Sequence, residues 1–172
     1  MKILALFAAV PLIAIQLHAQ SAPGPLMAAT KGFNTMVNDN VLKSAEEMPE
    51  KNYGFRPTPE VRTFGQLVGH VADAQYEFCS AVVGDGAKGP DVEKTKTTKA
   101  DLIQALKTAF AYCDKAYEGM TDTQALETVK FFGRDMPKVS VLSMNMAHTD
   151  EHYGNIVTYL RIKGLVPPSS QH

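Results

Sequence analysis

Apolar residues recur every three or four positions in four separate stretches of the chain, which is the spacing of a helix with one buried face. These stretches predict helices at about 25–48, 64–83, 98–119 and 139–163. In the first, the expected buried stripe is Phe33, Met36, Val37, Val41, Ala45 and Met48. No stretch shows the clear alternation of a strand. Four long amphipathic helices predict an all-α fold, a four-helix bundle with long crossover connections.

Local signals mark where the helices begin and end. Thr63 and Gln66 form a T-x-x-Q capping box before the second helix, and Thr98 is a suitable cap for the third. Gly164 fits the C-terminal cap of the fourth helix, because the following Pro-Pro pair prevents its continuation.

Two long connections separate the helices. Residues 84–97 have the Gly, Lys and Thr content of a mobile loop. Residues 121–138 predict an irregular crossover that packs its phenylalanines, Phe131 and Phe132, against the bundle. The methionines Met36, Met144 and Met146 are interpreted as core packing.

The first 19 residues have the pattern of a secretory signal peptide. Lys2 precedes a nearly uninterrupted apolar run that ends at a small residue, Ala19. A retained membrane anchor is the alternative, but the run of about 15 residues is shorter than the roughly 20 that span a bilayer. We therefore predict a signal peptide at 1–19 and one domain at 20–172. The mature protein would be periplasmic or secreted, with no stable membrane insertion.

Charge and cysteine content limit which partners and which redox chemistry are expected. The formal net charge is −1 and no basic stripe is present, so nucleic acid is not an expected partner. Cys79 and Cys113 either form a disulfide in an oxidising compartment or are two separate buried thiols. The second interpretation is favoured, since spacing alone gives no distance between them.

Three histidines form the main chemical signal. His148 and His152 lie four apart and so share one helix face, while His70 lies on an earlier helix. Three imidazoles from facing helices could hold a divalent metal and leave a fourth position for water or substrate. Spacing alone leaves open the alternative of surface or hydrogen-bonded core histidines.

Polar residues surround these histidines on the same helix faces. The candidates for the surrounding pocket are Gln66, Asp73, Asn145, Glu151, Asn155 and Tyr159. Either carboxylate on the His70 helix, Asp73 or Glu77, could accept the second ring N–H of a ligand histidine. Glu151, Asp150 and Asp73 are candidate proton carriers, although each also fits a charged helix flank. No residue is assigned a catalytic role.

Residues 148–152 also match a protease pattern. The sequence HTDEH fits H-x-x-E-H of the inverted zinc proteases, in which Glu151 would be the general base. Those enzymes are much larger and take a further acidic ligand downstream, whereas no acidic residue follows His152. This interpretation is disfavoured.

Four segments occur together in a specific order: YGFRPTPEVR at 53–62, FGQLVGHVAD at 64–73, HTDEHYGNIVTYLR at 148–161 and GLVPP at 164–168. They resemble the DinB-like family, and the first resembles its exported branch. The resemblance implies a four-helix bundle with a long crossover. It also implies a divalent metal held by His70, His148 and His152, with zinc, nickel or iron all acceptable. A homodimer is a further expectation from the family.

The family resemblance leaves the reaction open. Its members include thiol-dependent transferases and isomerases, but an oxidising compartment is a poor place for a small thiol. Activated water needs no thiol. The expected function is therefore metal-dependent hydrolase or thiol-transferase chemistry on an unknown small molecule. The alternative is a non-catalytic metal-binding or partner-binding bundle. An accessible cleft lined by Asn145, Asn155, Tyr159 and Gln66 would favour the enzyme.

Overall fold

Four long helices pack side by side, as the hydrophobic periodicity predicts. The computed structural model describes residues 23–171, so the predicted signal peptide lies outside the described residues. In chain order the helices are α1 (Pro25–Glu47), α2 (Phe64–Val83), α3 (Val92–Thr95), α4 (Lys99–Tyr117), α5 (Asp122–Ala125) and α6 (Lys138–Ile162). The strands are β1 (Thr128–Phe131) and β2 (Arg134–Pro137). Within residues 23–171, no helix combines the length and apolar character needed to cross a bilayer.

Two apolar clusters at opposite ends of the bundle define the helix directions. One joins the C-terminal halves of α1 and α6 to the N-terminal halves of α2 and α4. The other joins the remaining halves, including residues of β1. Helices α1 and α6 therefore run one way, and α2 and α4 run the other way. Because α2 and α4 are parallel, the chain between them must return along the bundle, and α3 lies in this crossover.

The predicted helix boundaries agree with the structure. Thr63 and Gln66 form the reciprocal capping box of α2, and Gly84 ends that helix with a left-handed φ of 80°. The Thr98 side chain accepts the backbone N–H of Asp101 at the start of α4. Each contact satisfies a backbone group that the helix itself leaves unpaired.

The segment at 121–138 differs from the irregular crossover expected. It forms α5 and an antiparallel β-hairpin, whose two-residue turn places Phe132 at φ 46° and Gly133 at φ 73°. Phe131 packs on Phe78 with ring centroids 5.0 Å apart, whereas Phe132 is 66% exposed. Phe131 is the last residue of β1 and faces the bundle, whereas Phe132 lies in the exposed turn, so only one of the two phenylalanines reaches the core. The expectation for Phe132 was wrong.

The predicted stripe of α1 is also only partly correct. Val37, Val41, Ala45 and Met48 are buried, but Phe33 and Met36 are 61% and 54% exposed. Met36 lies nearly opposite the centre of the buried face and Phe33 lies outside that face, whereas Asn34 and Asn38 occupy buried positions within it. The core interpretation likewise fails for Met144, which is exposed.

A disulfide joins Cys79 on α2 to Cys113 on α4, with a Cα–Cα distance of 5.2 Å. The favoured interpretation of two separate thiols was therefore wrong. The two parallel helices bring the Cα atoms into the range of about 4.4–6.8 Å that a disulfide requires, and the sequence gives no access to that distance.

Candidate metal centre

Two helices bring the three histidines to one point. Nε2 of His148 lies 3.1 Å from Nε2 of His70 and 3.1 Å from Nε2 of His152. The three ligand atoms all lie within 4.8 Å of one another. His148 and His152 stack along α6 because four residues make about one turn, and α2 supplies His70 from the facing side.

The arrangement of these nitrogens fits a divalent cation. His70 Nδ1 lies 3.1 Å from a carboxylate oxygen of Glu93, which favours a proton on Nδ1 and a lone pair on Nε2. Nitrogens about 2.1 Å from one ion in tetrahedral geometry are roughly 3.4 Å apart, close to the spacing seen here. Three converging imidazole nitrogens could therefore act as a facial set of ligands.

Burial keeps the three imidazoles in the neutral form that binds metals. It lowers the pKa of His148 to about 4, with a smaller contribution from the neighbouring His152. Burial is also the main cause of the lowered pKa of His70 and of His152. Neutral imidazole is the ligand form, so little proton release has to accompany metal binding near pH 7.

Glu93 and Arg62 belong to the site although no sequence pattern points to them. One Glu93 oxygen contacts His70, and the other accepts a hydrogen bond from Arg62 Nε at 2.9 Å. Glu93 lies 23 positions after His70, in a crossover without helical periodicity, so no spacing rule connects the two. Glu93 lies in the first turn of the short helix α3, and it reaches His70 only because α3 packs against α2.

Asp73 has a different contact from the one expected. Its two oxygens accept the backbone N–H groups of Val92 and Glu93 at 2.7 and 2.9 Å. Asp73 therefore binds the start of α3, and Glu93 takes the place beside His70 that was predicted for a carboxylate of α2. The carboxylate–histidine pairing was expected correctly, but the residue was wrong.

An open cavity of about 620 Å³ lies beside the histidine cluster. Its wall includes His152 together with Arg62, Glu93, Glu151 and Asn155. Tyr159 also lines it, and the Tyr159 hydroxyl donates to the backbone carbonyl of Arg62 at 2.8 Å. This volume is in the range of small-molecule sites.

Two predicted pocket residues lie elsewhere. Asn145 is fully buried, and its side-chain amide donates to Gln75 Oε1 at 3.0 Å and to Cys113 Sγ at 3.3 Å. The Asn145 side chain therefore points toward the disulfide. Gln66 is held in the α2 capping box and lines a neighbouring cavity of about 720 Å³. A shared helix face therefore did not ensure a shared pocket.

Comparison with known protein families identifies the chain. The family model of the DinB superfamily matches residues 35–156, which include all three histidines. The chain belongs to the DinB superfamily. No curated protein matches its sequence.

Solved DinB-like proteins share the fold at low sequence identity. A DinB-like protein from Bacillus cereus is 19% identical, with a TM-score of 0.71 over 83% of this chain and 93% of that chain. A DinB-like protein from Bacillus subtilis is 22% identical, with a TM-score of 0.68 over 84% of this chain and 99% of that chain. The DinB-like four-helix bundle expected from the sequence is thereby confirmed.

Proposed function

We propose that this DinB-superfamily protein is an exported metal-dependent hydrolase. His70, His148 and His152 would hold a divalent ion, and a small substrate would bind in the adjoining cavity. The observation that carries the proposal is that His148 Nε2 lies 3.1 Å from the Nε2 atoms of both His70 and His152, with His152 forming part of the wall of an open cavity. A bound divalent ion would act there as a Lewis acid that lowers the pKa of water or of a thiol.

The residues around the cluster have separable roles in this proposal. Glu93 orients the His70 ring, and Asn155 offers an amide to polar groups of the substrate. Glu151 places a carboxylate on the cavity wall, where its oxygens would receive the proton released by the attacking nucleophile. The Tyr159 hydroxyl holds the cavity wall in place through its hydrogen bond to the backbone carbonyl of Arg62.

Water is favoured over a thiol as the nucleophile. The predicted signal peptide and the Cys79–Cys113 disulfide both support an oxidising compartment, in which small thiols are scarce. The identity of the metal is left to measurement among zinc, nickel and iron. The homodimer expected from the family resemblance stays a prediction.

The open cavity also favours an enzyme over a non-catalytic metal-binding bundle. A purely structural site closes around its ion, whereas a catalytic site keeps one face accessible. His152 borders a cavity large enough for a small molecule. A partner-binding role would need no such space next to the ligands.

Elemental analysis of the untagged mature protein tests the metal. We expect about one divalent metal per chain, and His148→Ala should lose it because only two imidazoles remain. Glu151→Gln is the matched control: it changes a cavity residue that does not contact the ring nitrogens and should keep its metal. Equal metal content in His148→Ala and the parent would contradict the ligand assignment.

Hydrolysis assays then test the reaction. The metal-loaded protein, screened with small chromogenic esters and amides, should be active without added thiol. Its activity should disappear with a chelator and return with the metal. Activity that requires an added thiol would favour a thiol transferase over a hydrolase. Full activity in His148→Ala would contradict the assignment of the three histidines as the active metal site.

A further inference from the structure

The structure points to Glu93 as a positioning residue that sets the tautomer and orientation of His70 for metal binding. We infer that α3, in the crossover between α2 and α4, places the Glu93 carboxylate against the His70 ring. The crossover thereby forms a second layer of the metal centre, meaning residues that contact the ligands and not the metal. The inference deepens the proposed function and rests on it. Glu93 would act on the metal through His70, without coordinating it.

The contacts of Glu93 hold its carboxylate in one orientation. One oxygen is 3.1 Å from His70 Nδ1, and the other accepts from Arg62 Nε at 2.9 Å. The Glu93 side chain is only 24% exposed, so the contact with the ring is partly shielded from water. A carboxylate that accepts from Nδ1–H leaves Nε2 as a lone pair directed at the cluster and makes it a stronger donor.

Two features of α2 bring α3 close enough for this contact. Asp73 accepts the N–H groups at the start of α3, and Gly69 gives α3 room to approach. A Cβ at Gly69 would lie 2.7 Å from the Glu93 Cα and 2.8 Å from its N, so any side chain there would displace α3. His70 follows Gly69 directly. One short stretch of α2 therefore carries the His70 ring and also makes room for the Glu93 carboxylate that contacts this ring.

The three histidines are not equivalent in this respect. Among residues 23–171, the buried Nδ1 atoms of His148 and His152 have no hydrogen-bond partner. The protein itself thus fixes the tautomer of His70 but not of the two α6 histidines. We therefore expect the apparent metal affinity to depend on Glu93 more than on any other carboxylate near the cluster.

Metal affinity measured by competition with a chromophoric chelator, with Zn²⁺ as the probe, is the first test. Glu93→Ala should weaken binding about 10- to 100-fold, the range found for partners of metal-bound histidines. Glu93→Gln should lose less, because an amide oxygen still accepts from Nδ1–H. Glu118→Gln removes a carboxylate from a surface ion pair with Lys31 and serves as the control, with no expected change.

The His70 tautomer, read by long-range ¹H–¹⁵N NMR in chelator-treated protein, is the second test. The parent and Glu118→Gln should show the proton on Nδ1 of His70, and Glu93→Ala should shift it toward Nε2. A purely structural role for Glu93 would lower thermal stability without moving this proton.

The two readouts separate the possible failures. An unchanged tautomer in Glu93→Ala, or unchanged Zn²⁺ affinity in a parent that binds Zn²⁺, would overturn the inference. A parent that binds no metal would instead refute the proposed function, and the tautomer measurement would still decide whether Glu93 controls His70.

Discussion

At the scale of single residues, the protonation of the histidines links the site to stability. Burial lowers the pKa of His148 to about 4, against about 6.5 for an unperturbed histidine. The unfolded chain therefore binds more protons than the folded one between these values, and protonation favours unfolding there. The lowered pKa of His70 and of His152 acts in the same direction.

The metal-free protein should consequently lose stability in acid. Its free energy of unfolding, measured in urea after chelator treatment, should be nearly constant above about pH 6.5 and fall as the pH approaches 4. His148→Gln should show a shallower fall over this window, because one buried imidazole is absent. A parent profile that is flat, or that rises toward pH 4, would contradict the burial of neutral histidines.

The sequence was informative about the candidate metal ligands and less so about the residues around them. His148 and His152 lie on one helix, where spacing determines direction. His70 was already the candidate third ligand from its place on an earlier helix, and the family resemblance supported it. Glu93 comes from a crossover whose path depends on Asp73 and on the absence of a side chain at Gly69. Contacts of that kind have no periodic signal, so the carboxylate was assigned to the wrong residue.

At the scale of elements, the contact between α2 and α3 determines whether the second layer forms. Gly69→Ala should displace α3 and weaken Zn²⁺ binding, although alanine adds no atom to the histidine cluster. Gly32→Ala is the matched control, since a Cβ at this helical position of α1 meets nothing within 4 Å. It should bind Zn²⁺ normally and be slightly more stable, by up to about 1 kcal/mol.

Both glycine variants should be compared by Zn²⁺ competition and by urea unfolding. Weaker binding in Gly69→Ala, with a far-ultraviolet circular dichroism spectrum like that of the parent, would separate a local shift of α3 from loss of the bundle. Unchanged Zn²⁺ binding in Gly69→Ala would contradict the expectation that the close approach of α3 to α2 supports the metal centre.

Element prediction succeeded where many residues share one pattern and failed where few do. The four long helices each repeat the apolar spacing over five turns or more, and their bounds agree with the structure within about two residues. Strands β1 and β2 have four residues each, too few for a clear alternation. The hairpin turn, with Phe132 at positive φ, is an uncommon choice that turn statistics do not suggest.

At the scale of the whole molecule, helix direction was the main feature that the sequence left undetermined. Long connections indicate crossovers but do not say which helices run parallel. The parallel arrangement of α2 and α4 has two consequences. It places Cys79 beside Cys113, and it takes the crossover past His70, where Glu93 can reach the ring. The disulfide and the second layer of the site thus follow from the same topology.

The proposed export connects this disulfide to the compartment in which the protein works. Expressed with its full sequence in a bacterial host, the protein should be recovered outside the cytoplasm, begin at Gln20 and contain no free thiol by mass spectrometry. Leu6→Arg places a charge in the apolar run of the predicted signal and should leave the chain unprocessed, with Cys79 and Cys113 reduced in the cytoplasm. An exported parent that retains Met1 would contradict cleavage. A cytoplasmic parent with reduced cysteines would remove the argument for an oxidising compartment, and with it the preference for water over a thiol.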